Sequence, residues 1–152
     1  MNYLFTILTI LFLVSSPDLH AQNAETDIRH VVDKLFDGMR RGDSSMVSNV
    51  FAAGATLQSI SADKPGQAAL HAESVDAFIK AVGTPHAKQW DERIYNVKLL
   101  TDGPMAVVWA PYKFYLGGTF SHCGVNVFTL LQNGNQWKIT GITDTRRKDN
   151  CQ

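Results

Sequence analysis

Positive charge has no surplus in this chain: Lys and Arg number 14, and Asp and Glu number 14. That balance excludes a surface built to neutralise phosphates, so nucleic acid is not an expected partner. No apolar run is long enough to cross a bilayer as a helix, which takes about 20 residues; the longest, at 3–14, has 12. Cysteine is scarce, with two residues and no CxxC or HxxxH spacing, which excludes a structural zinc site and leaves no metal to expect. The patterns GxSxG, GxxxxGK[ST], GxGxxG and HExxH are missing. Their absence excludes the common nucleophile elbow, phosphate loop, dinucleotide turn and zincin helix, and no cofactor is expected. Charge is also modest, at 18% of residues against 45% hydrophobic, which excludes a disordered chain. A length of 152 residues suits one domain.

What the chain does carry begins with an address. Residues 3–14 read YLFTILTILFLV, followed by Pro17-Asp18 and Leu19-His20-Ala21. A short apolar core, a helix-breaking polar stretch and a small residue form the pattern of a secretory signal over 1–21, cut after Ala21. No Lys or Arg precedes the run and Leu19 is large for its place, so retention as an anchor is the alternative. Residues 22–152 are the expected mature domain, periplasmic or secreted, and off the membrane after cleavage. In an oxidising compartment Cys123 and Cys151 read as one disulfide. It would close a loop of 28 residues, contributing about 3 kcal/mol by chain entropy. The chain must then reverse after Arg146, and Arg147-Lys148-Asp149-Asn150 is polar enough to turn.

Ile28, Val31, Val32, Leu35, Phe36 and Met39 recur at helical spacing and predict an amphipathic helix over 25–41, ended by Gly42. Asp43 is placed to cap a short second helix, and Ser74 a third over 75–82. Between them, 56–61 and 68–72 alternate like a strand pair about Lys64-Pro65-Gly66. From Lys88 the period becomes two. Strands are predicted over 89–100, 105–116, 119–132 and 136–146, parted by Asp102-Gly103-Pro104, Gly117-Gly118 and Asn133-Gly134. Links this short force antiparallel neighbours. The prediction is an α+β domain: a strongly curved antiparallel sheet wrapped as a cone around the N-terminal helix, with two further short helices and a pocket at the open end. If Asn133-Gly134 is a two-residue turn, Phe128 faces Ile139, Leu130 faces Trp137 and Cys123 faces Asp144.

This order of elements resembles the nuclear transport factor 2-like superfamily, whose cone-shaped barrels include ketosteroid isomerases, scytalone dehydratase and polyketide cyclases. Within it, VVWAPYKFYLGGTFSHCGVNVFTLLQNGNQWKITGITDTRRK resembles SnoaL-like exported bacterial proteins named for lumazine binding. The resemblance spans about 24–148 and implies the fold. It implies no single activity, because enzymes, binders and transport adaptors share the superfamily. Ketosteroid isomerases need a carboxylate base early in the sheet; here that region reads FAAGATLQSIS, with no acid.

Rings supply most of the binding candidates. Trp109, Tyr112 and Tyr115 crowd one strand around Pro111, where a bulge or an edge is expected. A one-residue bulge there would place Trp109 and Tyr112 on one face, and with Trp90 and Tyr115 they predict an aromatic wall. Asn126 interrupts an apolar run between Val125 and Val127, and Arg146 could hold an anionic or carbonyl group. His122 is the candidate general base, with Asp144 to fix its tautomer. A regular hairpin sets His122 opposite Thr145 and turns Asp144 and Arg146 to the other face, whereas a bulge near Gly124 or Gly141 would bring them together. Two functions stay open: an exported binder of a small hydrophobic or aromatic molecule, and a hydro-lyase, isomerase or cyclase using His122 with Asp144 and Arg146. Val125, Val127, Thr129 and Leu131 beside Thr140 and Ile142 predict an apolar outer face for a homodimer through the sheet.

Overall fold

The structure, a computed structural model, describes residues 18–64 and 66–151, so the apolar run at 3–14 lies outside the described residues. The first helix, α1, spans Asp18–Arg41. It starts seven residues before the expected Glu25, because nothing between Asp18 and Ala24 breaks a helix. The expected cut after Ala21 therefore falls in its opening turns. A short α2 (Ser44–Ser48) follows, capped by Asp43, whose carboxylate accepts from Met46 N at 2.9 Å. Helix α3 (Val75–Gly83) is capped by Ser74 in the same way, from Ala77 N at 3.0 Å.

Seven strands make one curled sheet: β1 (Phe51–Lys64), β2 (Gln67–Glu73), β3 (Trp90–Ile94), β4 (Lys98–Asp102), β5 (Met105–Leu116), β6 (Thr119–Asn133) and β7 (Gln136–Arg146). Their order is β2-β1-β7-β6-β5-β3, with β4 also on β5. One pairing corrects the all-antiparallel expectation: β1 runs parallel to β7. The connection between them carries a helix and five strands, ample for a crossover. The strand expected over 89–100 is two strands, split where Asn96 takes φ 48.

Pro111 makes neither a bulge nor an edge. It pairs with Val125 in unbroken register inside a central strand. On its other side lies the gap between β3 and β4, where Tyr95 N donates to Pro111 O at 3.0 Å. N–H and C=O of one strand residue point to the same side, so the missing donor falls where no ladder partner waits. The phase of β5 is therefore continuous. Val108, Ala110 and Tyr112 are buried, and Trp109 is turned outward.

Helix α1 buries Ile28, Val32, Leu35 and Phe36 against Val108, Phe128, Leu130 and Ile139 on the concave side. Phe36 meets Phe128 edge-on, with ring centroids 6.0 Å apart. The helical spacing and the inward phase of the strands thus meet in one core.

The β6–β7 register differs from the expected one in two steps. The loop is Gly134-Asn135, so Asn133 pairs with Gln136 and Leu130 with Ile139. That slide of two residues keeps each side chain on its face. Thr140 is then an extra residue, and beyond it Phe128 pairs with Ile142 and Asn126 with Asp144. A slip of one exchanges faces. Ile142, expected outside, is buried, and Asp144 reaches the concave side with Asn126. Gly141 suits the crowding, because a Cβ there would stand 3.0 Å from the Thr129 and Thr56 hydroxyls.

The chain end folds back as expected. Cys123 lies opposite Arg147, rather than Asp144, with both backbone bonds at 2.9 Å. Asn150 turns with φ 50, and Cys151 joins Cys123 in a disulfide with Cα atoms 5.9 Å apart.

Candidate binding site

A cavity of about 690 Å³ opens between the concave sheet, α1 and α3. Leu35, Phe36, Phe78, Trp90, Phe114 and Phe128 give it apolar walls. Glu92, Tyr112, His122, Asn126, Asp144 and Arg146 form a polar pole on β3, β5, β6 and β7, and polar residues of β1 and β2, His71 and Glu73 among them, line the adjoining wall.

Asp144 is the anchor of this pole. It is 6% exposed, and its carboxylate accepts from the Ser59 hydroxyl, from Tyr112 OH at 2.9 Å and from Arg146 Nε at 2.9 Å. A buried carboxylate needs that many donors. Tyr112 OH also lies 3.1 Å from the Thr145 carbonyl. Burial, with Asp144 adding to it, pushes the Tyr112 phenol far above its ordinary value, so the hydroxyl remains a donor. Gly124 makes room for this arrangement. A Cβ there would lie 1.7 Å from Thr145 O and 2.9 Å from Tyr112 Cε1, so only glycine lets the strands and the ring approach so closely.

His122 faces the same cavity, tilted on Phe114 at 4.9 Å and edge-on to Tyr112 at 5.7 Å. Its Nδ1 lies 3.1 Å from Ser121 Oγ. The expected His122–Asp144 pair is not formed, because Ser59, Tyr112 and Arg146 take the carboxylate. Burial, helped by Arg146, holds the imidazole below its usual value and favours the neutral ring. Burial opposes the Arg146 charge too, but Asp144 outweighs it and the guanidinium keeps its proton.

Of the expected wall residues, Trp90 and Tyr112 line the cavity and Trp109 and Tyr115 do not. Trp109 is 48% exposed on the convex face, between Lys98 and Val127. Without a bulge at Pro111 it cannot share a face with Tyr112. Tyr115 instead lies under the Arg93 guanidinium, 4.4 Å from the ring centroid, and against Phe120.

Glu92 is the site residue that sequence reasoning missed. Lying on β3, it pairs with Phe114 of β5, and Asn126 Nδ2 donates to its Oε1 at 2.6 Å. It is half-buried, with part of its surface open on the cavity. Burial pushes its carboxyl up to about 7; Asp144 adds to the rise, while Asn126 and Arg146 oppose it. A signal was present: Glu92 sits in phase with Trp90 and Ile94, an acid in the apolar phase of an alternating strand. Among the described residues, no three of His, Cys, Asp and Glu converge to hold a metal ion.

A curled sheet closed by α1 over such a cavity defines a nuclear transport factor 2-like domain. Three solved structures from Novosphingobium aromaticivorans share the fold. A nuclear transport factor 2-like protein with a cystatin-like fold has TM-score 0.68 and 12% identity, over 91% of this chain and 94% of that one. The beta subunit of a putative aromatic-ring-hydroxylating dioxygenase has TM-score 0.69 and 13% identity, over 85% and 92%. A putative scytalone dehydratase has TM-score 0.64 and 12% identity, over 84% and 86%. At these identities the likeness is one of fold. No curated protein matches the sequence. Residues 23–141 match the family described as "Putative lumazine-binding", and the chain belongs to that family.

Proposed function

We propose that the protein is an exported binder of a small, mostly apolar and partly aromatic molecule, held with its polar end against Asn126, Asp144 and their neighbours. The cavity carries this reading: about 690 Å³, ring-lined, with a cluster of polar groups around Asn126 and Asp144. That size and lining suit a ligand of two or three rings. The family's described ligand, lumazine, is a two-ring heterocycle of that scale. A catalytic role for His122 has weaker support, since Asp144 makes no bond that would orient the imidazole. Export rests on the apolar run and small-residue cut near Ala21, and the disulfide fits an oxidising compartment. A homodimer through the convex sheet face rests on the exposed Leu100, Met105, Trp109 and Leu131.

Isothermal titration with lumazine and with naphthalen-1-ylmethanol tests the binding reading. At least one should bind one to one, and Leu57→Trp, which fills the cavity, should abolish it. No saturable heat from either probe refutes the reading. N-terminal sequencing of protein recovered outside the cytoplasm should begin at Gln22, and a mature form that keeps Met1 refutes the cut.

A further inference from the structure

Resting on that binding reading, we infer that the polar pole selects a ligand with a cationic nitrogen, an ammonium or protonated ring nitrogen on a hydrophobe, ion-paired to the Glu92 carboxylate. The charge count in the cavity points this way. Three carboxyl groups line it, Glu73, Glu92 and Asp144, against one guanidinium, Arg146. Arg146 is already spent on Asp144 at 2.9 Å and is 54% exposed at the rim. Glu92 has Asn126 on Oε1 and, among the described residues, no hydrogen bond to its other oxygen. An unliganded Glu92 answers this shortage of positive charge by keeping a proton near neutrality, because burial and Asp144 both oppose a second anion. A ligand cation supplies the missing charge instead.

The surroundings agree. Trp90, Phe114 and Phe128 line the cavity and supply aromatic rings near a desolvated cation. His122 on β6 is held toward its neutral form and does not compete. Tyr112 on β5 keeps its proton, and α1 presents only Leu35, Phe36 and Met39. His71 and Glu73 stand on β2 at the cavity wall. A ligand carboxylate or phosphate would instead meet these acidic groups, an arrangement that rejects it. Binding balances simply: the ammonium enters, Glu92 gives its proton to buffer, and the ion pair remains.

Three probes of one shape separate the possibilities: naphthalen-1-ylmethylamine, naphthalen-1-ylmethanol and 1-naphthoate. Titrations at pH 6 and pH 8, each in two buffers of different ionisation heat, give affinity and protons released. With Glu92 near 7, its ionised fraction rises from about a tenth to about nine tenths, so the amine should tighten about tenfold. Close to one proton should leave per amine bound at pH 6. The alcohol should bind equally at both pH values, and naphthoate should bind weakest. Glu92→Gln should remove the amine's advantage over the alcohol and its pH dependence. Equal affinity of amine and alcohol at both pH values, or no proton release from the unaltered protein, overturns the inference and leaves the cavity reading standing. If neither amine nor alcohol binds, the inference falls, and the cavity reading falls with it only if lumazine also gives no saturable heat. The proton count needs no variant, so the test survives if Glu92→Gln fails to fold.

Discussion

Glu92→Gln should stabilise this protein at alkaline pH, although it removes a charged group from the surroundings of an arginine. The reasoning is one of linkage. The unfolded chain loses the Glu92 proton near 4.5, and the folded chain holds it to about 7. Below 4.5 both states carry the proton and the residue is neutral in the balance. As pH rises from 4.5 to 7 only the unfolded state ionises freely, so folding loses about 1.4 kcal/mol per pH unit. Above 7 the folded state ionises as well and the loss levels off, at about 3 kcal/mol in all. Glutamine keeps the acceptor for Asn126 and has no proton to lose, so the variant avoids this loss. Urea unfolding of both proteins at half-unit steps from pH 4.5 to pH 8 measures the difference directly. The two should agree near pH 4.5, diverge through 6, and stand about 3 kcal/mol apart at pH 8 with the variant ahead. Parallel curves, or a variant less stable at pH 8, would refute a buried carboxyl held near neutrality.

The remaining predictions concern the site's scaffold and the faces around it. Gly124→Ala should cost more than about 3 kcal/mol and lower the Tm by many degrees, because its Cβ meets the Thr145 carbonyl at 1.7 Å; a variant of ordinary stability would show that the strands can part there. Cys151→Ser should lose about 3 to 4 kcal/mol for a closed loop of separation 28, with the far-ultraviolet spectrum unchanged. Reduced unaltered protein should match that variant, and equal stability of all three forms would refute the entropic account. Trp109→Glu, on the convex face, should yield a monomer by light scattering and leave ligand binding intact. A monomer from the unaltered protein at high concentration would remove the dimer altogether.

Local chemistry was legible where a residue acts on its own neighbours. Asp43 and Ser74 cap the helices they precede, Ile28 to Met39 face the core, and Cys123 meets Cys151. The face of a side chain far from a turn was not legible, because parity along a strand depends on every inserted residue before it. Thr140 is one such insertion, and it decides that Asp144 and His122 share a cavity. Trp109 was misplaced for the opposite reason. Pro111 suggested an insertion that the gap between β3 and β4 makes unnecessary. Glu92 escaped notice because acids in strands are usually solvated, and its burial follows from the curl of the whole sheet rather than from residues beside it.

Strand β7, the final strand in the chain, sits in the middle of the sheet, hydrogen-bonded to β1 on one side and to β6 on the other. The order of synthesis is therefore at odds with the order of assembly. The β1–β2 hairpin emerges first and can close by itself, but the ladder it must dock on is made last. Contacts across that span are slow to form and leave apolar strand edges waiting. A nascent chain of this kind gains little by folding early, and a chain stopped before residue 136 has two half-sheets with nothing to join them. Synthesis through β7 is thus a condition of reaching the native state, whatever order the earlier elements form in.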